Sequence, residues 1–169
     1  MKSLIVAGSP RKGKHSDRLA ELYAKERGVE VIYLRDLNIG FCTGCGHCKK
    51  IKKGVCSKVD DMTNLYDKIR KADEIAIFSP IYWWQVTSQA KLFIDRLHAL
   101  GHNEWKGKRL TFVLNGEAEP SDREYAILHD AFKEMADYLE MEFAFRGVGT
   151  EEDNEKMFEE AKKAVLELV

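Results

Sequence analysis

A doubly wound α/β domain with five parallel strands is the fold class this sequence predicts, on three observations. Five apolar runs bounded by turn residues recur along the chain, and the segments between them carry helical spacing. No repeat, low-complexity tract or Pro/Gly/Ser-rich linker divides the 169 residues. Strands that alternate with helices pair in parallel, because each parallel connection needs a crossover and right-handed crossovers cover both faces of the sheet.

Each element has its own signal. The strands are SLIVAG near 3–8, VEVIYL at 29–34, EIAIFSP at 74–80, RLTFVLNG at 109–116 and EFAFRGVG at 142–149. The first helix opens near Ser16 or Asp17 and repeats apolar residues at Leu19, Leu22 and Tyr23; the next does so at Met62, Leu65, Tyr66 and Ile69. A third carries Leu92, Phe93, Leu97 and Leu100, and a fourth Ile127, Leu128, Ala131, Met135 and Leu139. The closing helix has acids at its start and lysines later, as the helix dipole favours, with Phe158, Ala161, Val165 and Leu168 on one face. Five such strands fit a flavodoxin-like sheet in the order 2-1-3-4-5. The stretch 38–60, after the second strand, breaks the rhythm and reads as an inserted loop that holds all four cysteines.

With 44% hydrophobic and 33% charged residues, residues 1–169 make a single domain with a sizeable core. The formal net charge of -1 gives no global field for nucleic acid or an anionic membrane. No apolar run approaches the roughly 20 residues that cross a bilayer, and the first residues lack a signal-peptide core. The expectation is a soluble, cytoplasmic protein, with neither nucleic acid nor membrane as partner. In a reducing compartment, clustered cysteines are more often metal ligands or redox groups than disulfides.

Three strand ends carry chemistry. VAGSPRKGKHSD leaves the first strand, turns at Gly8 and opens a helix; the free N–H groups there, with Ser9, Ser16 and Arg11, suit a phosphate monoester. Structural punctuation is the plain alternative, since GxxxxGK[ST] and GxGxxG are both missing. SPIYWW places Tyr82, Trp83 and Trp84 beyond a buried strand, at the edge where open α/β sheets bind ligands. Aromatic faces and a Pro-fixed backbone suit a flat tricyclic ring; core or interface filling is the alternative. Asn115 and Gly116 end the fourth strand as turn residues that let backbone approach a ligand.

GSPRKGKHS, DDMTNLYDKIRKADEIAIFSPIYWWQVTSQAKLFIDR and the cysteine run between them resemble the NAD(P)H-dependent FMN reductase group of flavodoxin-like proteins, particularly its iron-sulfur flavoprotein branch. The resemblance covers roughly the first hundred residues; beyond Arg96 only the strand-helix rhythm agrees. It implies that Ser9, Arg11 and Ser16 grip the FMN phosphate with Lys12 nearby, and that Pro80, Ile81, Tyr82, Trp83 and Trp84 line the isoalloxazine. Asn115 and Gly116 would close the site. This chain has Lys14-His15 where the group commonly has Gly-Asn. The resemblance also implies a homodimer or homotetramer in which the cluster of one subunit lies near its neighbour's flavin, with Trp83, Trp84 and Trp105 as contact residues.

The cysteines run Cys42-x2-Cys45-x2-Cys48-x7-Cys56. Zinc sites usually come as two CxxC pairs set apart, whereas CxxCxxC typifies cubane clusters, so the spacing favours a [4Fe-4S] cluster over zinc. Lys49, Lys50, Lys52, Lys53 and Lys58 offset the cluster's negative charge or are a solvated face. The functional expectation is an FMN-dependent electron-transfer iron-sulfur flavoprotein, linked to NAD(P)H or a carrier such as ferredoxin. No acid-base catalytic residue is nominated. Its rivals are an NAD(P)H:FMN or quinone reductase with zinc-bound or free cysteines, and a non-catalytic redox sensor.

Overall fold

The computed structural model describes all of residues 1–169. Five strands form a parallel sheet: β1 (Ser3–Ala7), β2 (Val31–Tyr33), β3 (Glu74–Tyr82), β5 (Arg109–Gly116) and β6 (Glu142–Gly149). β4 (Gln85–Val86) is a two-residue strand antiparallel to the end of β3. The order is β2-β1-β3-β5-β6 with β4 off that path, so the sheet has six strands where the sequence predicts five in the order 2-1-3-4-5. The extra strand arises because β3 continues through Pro80, Ile81 and Tyr82 and folds back at Trp83-Trp84 as a hairpin. The expected α/β class and parallel pairing are present.

The central strands are buried because helices cover both faces. α1 (His15–Arg27) and α6 (Glu155–Leu166) pack Leu19, Tyr23, Phe158 and Val165 against Ile5, Ala76, Phe78 and Val113 on one face. α3 (Met62–Lys71), α4 (Ser88–Leu97) and α5 (Arg123–Tyr138) cover the other with Met62, Ile69, Phe93, Leu128 and Phe132. There Phe132 stacks on Phe112 of β5 with centroids 3.8 Å apart. No helix is long and apolar enough to cross a membrane.

Two polar features fix the frame. At the amino edge, Glu74 is fully buried and accepts hydrogen bonds from Ser3, Tyr23 and Thr111 at 2.6, 2.7 and 2.7 Å, with Arg27 Nε at 3.3 Å. Burial alone would raise its carboxyl; these hydrogen bonds and the Arg27 charge outweigh it and hold the group below its usual range. Between β2 and α3 the chain makes a 3₁₀ turn at Leu34–Asp36 and the short helix α2 (His47–Lys50). The neck of this excursion is stitched by Asn38 N–H to Asp61 at 2.6 Å and Gly40 N–H to Asp60 at 3.0 Å. Arg96 of α4, 2% exposed, donates to Asp60 at 2.5 Å and to the Gly40 carbonyl at 2.8 Å.

Candidate functional site

An open cleft of about 670 Å³ lies at the carboxyl edge of the sheet. It is lined by Arg11, Lys14 and His15 after β1, by Pro80 to Trp83 at the end of β3, by Asn115 to Ala118 at and just beyond the end of β5, and by Thr150 and Glu152 after β6. The three segments the sequence singles out therefore meet around one cavity, at the edge where open parallel sheets take ligands.

The expected residues take different positions there. Arg11 is exposed and lines the cleft, whereas Lys12 is exposed and does not line it. Ser9 and Ser16 are buried and use their hydroxyls internally. Ser9 Oγ accepts the Arg11 N–H at 3.1 Å. Ser16 Oγ donates to Asn115 Oδ1 at 2.5 Å, and Asn115 Nδ2 donates to Thr150 Oγ1 at 2.9 Å, which ties the start of α1 to the ends of β5 and β6. The first N–H groups of α1 have no intrahelical acceptor, and the end of the helix has a positive dipole. His15 sits there with its imidazole pushed down by burial and by the Arg18 and Arg11 charges, so near neutral pH it is a neutral hydrogen-bonding group.

On the ring side, the expected loop is a tight hairpin. Trp83 and Trp84 both have positive φ, 51° and 58°, the pattern of a two-residue type I′ turn that Asn-Gly normally fills. Their indoles meet edge to face at 5.6 Å and are 90% and 59% exposed. Strained backbone carrying wet aromatic rings is found where a ligand or partner uses them. Trp83 lines the cleft and Trp84 does not. Gly116 is tightly enclosed: a Cβ there would stand 3.0 Å from the Glu124 carboxylate and 3.1 Å from the Tyr125 hydroxyl, so those side chains would have to give way.

Sequence reasoning missed several residues. Lys14, His15, Glu117, Ala118, Glu124, Thr150 and Glu152 line the cleft. Thr87 caps α4 by accepting the Ala90 N–H at 3.2 Å and donates to the Gly8 carbonyl at 2.5 Å, so α4 anchors the phosphate-type turn. A Ser/Thr just before a helical stretch is a legible cap, but its bond to Gly8, 79 residues away, is not.

All four cysteines line a second cavity of about 90 Å³, together with Gly44, Gly46, Ser57, Lys58 and the end of α4 at Asp95, Arg96, His98 and Ala99. The thiols are free; Cys42 and Cys45 are exposed, Cys48 and Cys56 half-buried. The Ser57 hydroxyl, 3.5 Å from Cys45 Sγ, is the main cause that lowers that thiol's pKa. No three His, Cys, Asp or Glu side chains are arranged to hold one metal ion. The donor set suits a cubane cluster or a zinc ion in kind and number, but the four sulfurs are not gathered around one centre as either would require. The two cavities share no lining residue, and they sit at opposite ends of α4, ten residues or about 15 Å long.

The family model for NADPH-dependent FMN reductase matches residues 1–152. The chain belongs to this family. Among curated relatives, an iron-sulfur flavoprotein of Archaeoglobus fulgidus is 37% identical over 114 residues, 64% of this chain and 51% of that protein. An iron-sulfur flavoprotein of Methanocaldococcus jannaschii is 39% identical over 104 residues, 59% of this chain and 52% of that one. The chain thus spans about half the length of these relatives. Among solved structures, an FMN-dependent NADH-azoreductase from Bacillus anthracis in complex with FMN superimposes with a TM-score of 0.65 at 14% identity, covering 99% of each chain. That likeness concerns the fold.

Proposed function

We propose that this FMN reductase family member binds FMN in the carboxyl-edge cleft and works as an FMN-dependent oxidoreductase, with Cys42, Cys45, Cys48 and Cys56 holding a [4Fe-4S] cluster. The observation that carries the flavin assignment is the cleft itself, where a basic helix start, an aromatic strand end and the Asn115-Gly116 edge converge. Arg11 and the first N–H groups of α1 would bind the phosphate, with Lys12 nearby, Ser9 and Ser16 shaping the turn from behind. Pro80, Ile81, Tyr82 and Trp83 would cover the ring and exclude water, with Trp84, expected beside them, outside the cleft lining. Asn115 and Gly116 would face its polar edge. FMN supplies one- and two-electron chemistry and a cubane cluster one-electron chemistry, so the pair couples carriers of different stoichiometry.

The cluster assignment is supported by the spacing of the thiols, their common cavity and the names of the curated relatives. Residues 38–59 hold five lysines and no acid, in a chain of net charge -1, so the cysteine loop is a local basic face suited to an acidic redox carrier such as ferredoxin. Because the cleft and the cysteine cavity stand at opposite ends of α4, exchange between them is served best by a homodimer or homotetramer that sets one subunit's cysteine loop beside another's cleft. The exposed Trp83 and Trp84 suit that contact, whereas Trp105, expected beside them, is 3% exposed within the core and is not available to a neighbour.

Titration of the flavin-free chain with FMN, followed by stopped-flow reduction with NADH, NADPH or reduced ferredoxin, tests the reading. Stoichiometric FMN binding and reduction of the flavin by one of these donors is expected. A chain that binds no FMN refutes the cleft assignment, and a flavin-loaded chain inert to every donor supports the sensor instead. Sedimentation of an active monomer refutes the oligomeric part.

A further inference from the structure

The turn between β1 and α1 is held from behind by a side chain that no motif announces. Arg35, in the 3₁₀ turn after β2, meets the carboxylate of Asp17 with Nη1 on Oδ1 and Nη2 on Oδ2, both at 2.9 Å. Nη1 also donates to the Ser9 carbonyl at 3.2 Å, and Asp17 Oδ2 accepts the Gly13 N–H at 2.7 Å. The guanidinium lies over the Tyr33 ring, 4.4 Å from its centroid. One ion pair thus grips both ends of the segment Ser9 to Gly13.

Its place gives the pair an electrostatic task. Asp17 is 1% exposed and lies in the first turn of α1, the end whose free N–H groups favour an anion. A lone carboxylate there would oppose a phosphate dianion by like-charge repulsion in a medium that screens poorly. Arg35 cancels that charge and orients the Ser9 peptide at the same time. An Arg fork does this where Lys, a point charge, would not hold both oxygens.

Resting on the FMN assignment above, we infer that the Arg35–Asp17 pair sets the preference of the cleft for a phosphorylated flavin over riboflavin. Arg35 is a positioning residue: it acts through Asp17 and the Ser9–Gly13 turn. Riboflavin has the same ring and ribityl chain without the phosphate, so the ratio of its dissociation constant to that of FMN isolates the effect.

The test is fluorescence-quenching titration of the flavin-free full chain with FMN and with riboflavin. Arg35→Met lowers the ratio on the order of tenfold, as expected for exposing one charge to the phosphate. Asp17→Asn, which leaves Arg35 only its longer 4.0 Å contact with the exposed Asp36, raises it. The double variant Asp17→Asn/Arg35→Met returns it toward the wild-type value, an outcome a merely structural role would not produce. Should Arg35→Met fail to fold, Asp17→Asn and the double variant still fix the sign. A wild-type chain that prefers FMN while these variants keep its ratio, or weaken both flavins equally, overturns this inference alone. A wild-type chain that binds both flavins equally also overturns this inference alone, whereas one that binds neither flavin overturns the cleft assignment and the inference with it.

Discussion

Replacing Trp83-Trp84 by Asn-Gly should leave the stability of the flavin-free chain nearly unchanged, although two indoles are lost, and weaken its hold on FMN. Both tryptophans occupy the left-handed region, which costs about 1–2 kcal/mol for each non-glycine residue. Asn-Gly accepts that conformation with little strain. Against the relief stand the lost edge-to-face contact of the two indoles, about 0.5–1.5 kcal/mol, and the added chain entropy of glycine, about 0.5–1 kcal/mol. Trp83 is 90% exposed and loses little buried area, whereas Trp84 is 59% exposed, and removing its buried part costs about 1–2 kcal/mol more. Relief and losses nearly cancel, so the flavin-free variant stays within about 1 kcal/mol of wild type, or a Tm within about 2–4 °C in a chain of this size. Urea unfolding of the flavin-free variant reads the first effect and FMN titration the second. A variant less stable than wild type by more than about 2 kcal/mol, the full cost of the lost indoles with no relief of strain, refutes the argument that this turn holds strain for the sake of its ligand.

Glu74→Gln should cost about 3–5 kcal/mol at neutral pH, because it leaves Arg27 without its buried partner. With its folded pKa below the unfolded value of about 4.3, Glu74 stabilises the fold above that pH, and the contribution is lost as pH falls through the folded pKa; urea unfolding of both proteins from pH 7 to 3 should show the gap closing. Arg96→Met strips Asp60 of its bidentate partner, costs about 3–5 kcal/mol, and should speed tryptic cleavage at the lysines of 49–58; unchanged cleavage would refute the clasp at the loop neck. Arg11→Ala should weaken FMN binding by about 1.5–3 kcal/mol, and an unchanged titration would remove Arg11 from the phosphate site.

The parts of the fold legible in the sequence are those set by local pattern. β5 at Arg109–Gly116 and β6 at Glu142–Gly149 have the bounds read from their apolar runs, because turn residues or charge flank both. β2 is shorter than VEVIYL predicts, since Leu34 turns inward to the core and starts a 3₁₀ turn. The hairpin at Trp83-Trp84 is silent in sequence, as tryptophan has no preference for positive φ and tertiary context imposes it. The cleft was legible as three separate strand ends. The contacts that shape it were not: Arg35 to Asp17, Ser16 to Asn115 and Thr87 to Gly8 join residues 18, 99 and 79 positions apart, beyond any local period. Nor does cysteine spacing reveal that the thiols gather at the far end of α4 from the cleft.

The most direct measurement of the central claim is oxygen-free purification of the full chain, with its absorbance spectrum and its iron, sulfide, zinc and FMN content read on one sample. The account expects about one FMN with about four irons and four sulfides per chain. Zinc in place of iron would contradict the cluster, and colourless protein that takes up neither flavin nor iron would contradict both assignments.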